Sequence, residues 1–133
     1  MTKQTIGIIV HGATGRIGST QHLASALLPI INEGGLALGD DRLLPRLLLV
    51  GRDEDRVAAA ARAHGVADWT TDLNAALASA DHAIFFDAAA TGQRAATLER
   101  ALAAGKHVYC EKPLAPTAAQ ATALLQTARA RGR

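Results

Sequence analysis

The chain has 133 residues, nearly half of them apolar but only 3% aromatic, and its fourteen basic residues nearly balance its twelve acidic ones. This length suits one domain whose core is built from Ala, Leu, Ile and Val. The weak net charge of +2, without a stripe of basic and aromatic residues, argues against a nucleic-acid partner. The lone cysteine, Cys110, excludes a disulfide within the chain and fits a reducing, cytoplasmic compartment.

In chain order, TIGIIV (5–10) is a short β-branched run ending near glycine and reads as a buried strand. The opening MTKQTIGIIVHG has too short an apolar run for a signal peptide. From Gly15 to about Leu28 the apolar spacing is helical, and Pro29 is expected to end or kink that helix. The longest apolar stretch, LASALLPII, is too short to span a membrane. The turn-rich segment 32–46 is expected to be a long loop. RLLLVG (46–51) reads as a second strand, and Asp53 as the cap of a helix through Ala63 that His64-Gly65 ends.

VADWTTD holds at most a short edge strand, and Asp72 is placed to cap a brief helix over LNAALAS. HAIFFD (82–87) is a further apolar strand, followed by a helix over 91–105 closed by Gly105. KHVYCE (106–111) is the fifth strand, and Thr117 is placed to cap a helix running to the end of the chain. Strands alternating with helices predict an α/β fold with a parallel sheet between two helical layers. Right-handed crossovers favour the Rossmann strand order 3-2-1-4-5.

HGATGRIGST places Gly12, Gly15 and Gly18 directly after the first strand and at the start of the first helix. Gly12 suits the tight turn, Gly15 a close backbone approach by a pyrophosphate, and Gly18 the packing of helix on sheet. The helix N-terminus offers free N–H groups and its positive dipole end to phosphates. The whole turn, Gly12-Ala13-Thr14-Gly15-Arg16-Ile17-Gly18, is therefore expected to bind a dinucleotide. No lysine follows as a P-loop would need. At the end of the second strand, Arg52 precedes Asp53. An acid there binds the ribose 2′-hydroxyl and an arginine accommodates a 2′-phosphate, so Arg52 in first place favours NADP, with NAD the alternative and Asp53 equally a helix cap. The spacing from the glycines exceeds the usual ~20 residues, an excess assigned to the segment 32–46.

GATGRIG near the start, AGKHVYCEKPLA near residue 110 and the spacing between them resemble the glucose–fructose oxidoreductase / inositol dehydrogenase (Gfo/Idh/MocA) family over essentially the whole chain. The resemblance implies an NAD(P)-dependent oxidoreductase acting on a hydroxyl-bearing carbon of a sugar- or cyclitol-like substrate. It implies that Lys112 contacts both the substrate hydroxyl and the nicotinamide ribose, that Glu111 lines the cofactor site, and that Pro113 follows a cis peptide bond. Relatives carry a small-residue-Pro pair after the fourth strand. Here DAAATGQ lacks that proline, and Ala88 and Ala89 stand in its place. A cationic nicotinamide in a closed cleft would favour the neutral amine of Lys112, which suits proton transfer. Pro113 would restrict Lys112 to extended backbone and help to aim it.

The five histidines have no metal-ligand spacing, so structural roles are expected and no metal site. The family carries a second, substrate-binding domain, whereas this sequence stops after the helix beyond Glu-Lys-Pro. The expectation is a cofactor domain, residues 1–133, cut before the sixth strand and without turnover on its own. The unpaired edge of its fifth strand would invite self-association. A cofactor-sensing module without hydride transfer is the alternative, and a remnant that binds nothing is a third.

Overall fold

The computed structural model describes residues 2–133. Its strands are β1 (Lys3–His11), β2 (Leu36–Leu38), β3 (Asp41–Val50), β4 (Asp68–Thr70), β5 (His82–Asp87) and β6 (His107–Cys110). The helices are α1 (Ile17–Leu27), α2 (Leu28–Asn32), α3 (Glu54–His64), α4 (Leu73–Ala78), α5 (Arg94–Ala103) and α6 (Ala118–Ala130). The strands order as β4-β3-β1-β5-β6, all parallel, which is the Rossmann arrangement expected. β2 is an additional antiparallel strand on the outer edge of β3.

The continuous apolar runs of the central strands send alternate residues to opposite faces. Ile8, Val10, Leu47 and Leu49 meet Leu23 of α1 and Val57 and Ala61 of α3 on one face. Ile9, Val50 and Phe85 meet Leu77 of α4, Leu98 and Leu102 of α5 and Leu124 of α6 on the other. Three helices start at side-chain caps: Asp53 accepts from the Arg56 amide, Asp72 from Ala75 and Thr117 from Gln120. Each such cap is worth about 1 kcal/mol. Gly65 closes α3 at φ +66, where its own and the Val66 amide return to the Arg62 and Ala61 carbonyls.

Two expectations need correction. Segment 32–46 is not a loop. Residues 36–38 pair with 41–43 across a two-residue turn at Gly39-Asp40, and β3 begins at Asp41 rather than at residue 46. Gly39 sits at φ +61 in the first turn position, which a tight hairpin favours, and a three-residue strand is too short to display its alternation. Pro45 lies between the stretches paired to β2 and β4, where the outer edge of β3 carries no ladder, so a proline is tolerated inside a ten-residue strand.

Of the two outcomes expected at Pro29, an end or a kink, the first does not occur. The proline falls in the first turn of α2, where a missing N–H costs little. What changes there is the winding, from wide π turns in α1 to α turns in α2, with the Leu28 amide bonded to the Leu23 carbonyl. At the C-terminus, α6 stops at Ala130 and Gly132 adopts φ +65.

Candidate functional site

The carboxyl ends of β1, β3 and β5 open onto two adjoining hollows of about 170 and 220 Å³ that share His11, Arg52, Ala89 and Ala90. The turn out of β1 is fixed from both sides. The Gly12 amide donates to the Val50 carbonyl at 3.1 Å, and the Ala88 amide to the His11 carbonyl at 2.9 Å. Gly12 has φ +79, and a Cβ on it would stand 2.4 Å from the Ala89 nitrogen, so the loop after β5 lies directly against the turn. A Cβ on Gly18 would meet the Gly12 carbonyl at 2.4 Å, which sets how closely α1 approaches. Gly15 differs: its nearest neighbour would be the Gly12 carbonyl oxygen at 3.4 Å, and the rest is open. The helix that follows has no side-chain cap at Arg16.

The predicted residues therefore divide. Gly12, Thr14 and Gly15 line the second hollow with Gly51, Arg52 and Arg56. Ala88 and Ala89 line it from the far side, with Ala90, which the sequence did not single out. Ala13 is fully buried in the core and supports the turn from below. Arg16 is exposed and Ile17 half-buried, both outside these hollows. Asp53 caps α3 through Oδ1 and lines neither hollow, while Arg52 faces both. Arg56 lines the second and reaches the Thr14 carbonyl at 3.4 Å.

The Glu-Lys-Pro turn lies beyond β6, outside both hollows. The peptide bond between Lys112 and Pro113 is cis, as the resemblance implied. Glu111 turns toward α1, where its Oε1 meets His22 Nε2 at 2.5 Å. That hydrogen bond outweighs the opposing effect of desolvation and, with a lesser contribution from the Lys112 amide, holds the Glu111 carboxyl below its ordinary range. Lys112 is exposed, so the closed surroundings expected for it are not supplied by this domain.

Beneath the cleft lies a network the sequence reading missed. Asp87, at the end of β5, is 1% exposed. It accepts from His11 Nδ1 at 2.8 Å, Arg94 Nε at 2.9 Å and the Ala89 amide at 3.2 Å. Burial pushes the Asp87 carboxyl up, but these hydrogen bonds outweigh it and hold the group below the usual carboxylate value. Arg94, 2% exposed, also donates Nη2 to the Ala89 carbonyl at 2.8 Å and Nη1 to the Pro113 carbonyl at 2.7 Å. A signal for this was available: an acid closing an apolar strand needs a partner. In a parallel sheet the ends of neighbouring strands, His11 and Asp87, stand side by side. Two further histidines are hydrogen-bonded within the fold, His64 to Ser19 and His82 to Ser79.

A parallel sheet whose first strand runs through a glycine turn into a helix, beside a cleft at the switch in strand order, defines a dinucleotide-binding α/β domain. A family model described as "Oxidoreductase family, NAD-binding Rossmann fold" (GFO_IDH_MocA) matches residues 6–133. The chain belongs to this family and comprises its NAD-binding domain. It is 41% identical over 134 residues to a D-xylose dehydrogenase of Paenarthrobacter nicotinovorans, covering 99% of this chain and 34% of that protein. Among solved structures it resembles levoglucosan dehydrogenase in complex with NADH and levoglucosan, with a TM-score of 0.78 and 26% identity, over 96% of this chain and 33% of that one. It also resembles a 3-ketoreductase from Actinomadura kijaniata in complex with NADP, with a TM-score of 0.74 and 26% identity, over 97% of this chain and 35% of that one. The chain spans about a third of the length of these relatives. Among the described residues no helix is long and apolar enough to cross a membrane.

Proposed function

We propose that the chain is the cofactor domain of an NAD(P)-dependent oxidoreductase acting on a hydroxyl-bearing, sugar-like substrate, with NADP(H) preferred. One observation carries the preference. Asp53, the acid that would bind a ribose 2′-hydroxyl, caps α3 through Oδ1 and does not line the hollow beside the glycine turn, whereas Arg52 and Arg56 do. Two guanidinium groups there favour a 2′-phosphate. The residues fit a dinucleotide: the open side of Gly15 is a cradle that a Cβ would fill, and the start of α1, without a side-chain cap, would offer its amides to phosphates.

When bound, the nicotinamide supplies the hydride acceptor or donor. Arg52 and Arg56 hold the adenosine end, and the turn from Gly12 to Gly18 holds the diphosphate. Ala88 and Ala89 bound the cleft opposite Gly12, and Glu111 fixes the Lys112 turn through His22. Lys112 takes the hydroxyl proton on oxidation and returns it on reduction, a role completed by a substrate domain that closes over it. The relatives' names, xylose and levoglucosan dehydrogenases, support the substrate class. The free thiol of Cys110 and a dinucleotide cofactor both suit a cytoplasmic setting.

Fluorescence titration tests the cofactor assignment. NADPH is expected to bind at least about tenfold more tightly than NADH, and Arg52→Ala to remove most of that difference, in keeping with the loss of a guanidinium–phosphate contact. Tighter binding of NADH would refute the preference, and binding of neither would refute the assignment. For Lys112, Lys112→Ala in the enzyme containing the substrate domain is expected to lower turnover by about 100-fold or more, with dinucleotide affinity reduced by no more than about tenfold through loss of the ribose contact. Unchanged turnover would exclude the role.

A further inference from the structure

Resting on that reading, we propose that Arg94 is a positioning residue that fastens the Lys112–Pro113 turn to the floor of the dinucleotide cleft. Its three donor nitrogens go to three different segments. Nε meets Asp87 at the end of β5, Nη2 the Ala89 carbonyl in the loop beyond it, and Nη1 the Pro113 carbonyl in the turn after β6. An arginine present only to neutralise a carboxylate commonly faces it with two parallel N–H groups. Here a single nitrogen meets Asp87, which His11 also serves, and both terminal nitrogens hold main-chain carbonyls of loops flanking the cleft.

One of those loops lies against Gly12, the other carries Lys112. The planar guanidinium therefore fixes the distance between the phosphate-binding turn and the proposed proton carrier. The Glu111 amide, donating to the Asp87 carbonyl at 2.9 Å, closes the same connection along the sheet. A lysine could neutralise Asp87 as a point charge but could not span the three partners in one plane.

The test uses the full chain with Arg94→Lys and Arg94→Ala. Two quantities are measured: amide hydrogen exchange across residues 111–115, with α3 as internal reference, and dissociation constants for NADPH and for 2′,5′-ADP, which lacks the nicotinamide half. Arg94→Lys is expected to raise exchange at 111–115 by about tenfold while α3 is unchanged, as a local opening does. NADPH affinity is expected to fall about tenfold and that of 2′,5′-ADP by less than about twofold. Added guanidinium should slow exchange again in Arg94→Ala; if that variant does not fold, Arg94→Lys decides alone. Unchanged exchange at 111–115, or equal losses for the two nucleotides, overturns the proposal. If the unaltered chain binds neither nucleotide, the cofactor assignment fails, and the exchange comparison still decides whether Arg94 holds the turn.

Discussion

Asp87→Ala is expected to lower the stability of the domain by about 3–5 kcal/mol, the usual result of removing one partner from a buried ion pair. The carboxylate is 1% exposed and accepts three hydrogen bonds, one from a guanidinium that is itself 2% exposed. Without it, Arg94 keeps only two carbonyl partners for its buried charge. Small domains are stable by about 5–15 kcal/mol in total, so the variant should unfold at much lower urea, read from circular dichroism.

The pH dependence has a definite sign. The Asp87 carboxyl is held below its ordinary value, so its contribution is complete above about pH 4 and is lost as pH falls through the depressed folded value. Asp87→Asn should lack this part of the acid transition and retain the part due to Glu111, whose carboxyl is also held low. A urea midpoint for Asp87→Ala matching the unaltered protein would contradict the account of the network.

Gly12→Ala and Gly15→Ala should separate folding from binding. At Gly12 the methyl group would need φ +79 and would stand 2.4, 2.6 and 2.7 Å from backbone atoms of Ala88 and Ala89. The left-handed conformation costs about 1–2 kcal/mol, and forced displacement of a packed backbone about 1–3 more. Stability and dinucleotide binding should both be lost. At Gly15 the nearest atom would be 3.4 Å away, an ordinary contact, so the fold should persist within about 0.5 kcal/mol. The added methyl would nonetheless occupy the space where a diphosphate must approach, and binding should fall by about tenfold or more. Gly15→Ala with full affinity would remove the pyrophosphate from that turn.

The elements set by strong local signals were readable without the structure. Apolar runs of five or six residues marked β1, β3 and β5, and the caps Asp53, Asp72 and Thr117 marked where helices start. Parallel order followed from alternation and handedness. The β2–β3 hairpin escaped because three residues show no period and the glycines around them read equally as loop. The change of winding just before Pro29 escaped because no residue announces it.

In the site, the placement of the glycine turn and of Arg52 around one hollow was legible, because it depends on backbone geometry and strand position. The His11–Asp87–Arg94 network was not, because it joins residues 76 apart and 7 apart through a sheet register. The contact between Glu111 and His22, 89 residues earlier in the chain, was not legible either, because it joins a helix to the turn beyond β6 across the fold.

The Gly39-Asp40 tip of the β2–β3 hairpin projects from the end of the sheet opposite the cleft, since β1 and β3 run parallel and carry the glycine turn and Arg52 at their far ends. A Cβ on Gly39 would meet no atom within 4 Å. Exposed turns of this kind accept inserted residues well. The tip is therefore a natural attachment point for a fluorophore or an affinity tag, through which ligand binding could be followed or the domain immobilised with its mouth facing solution.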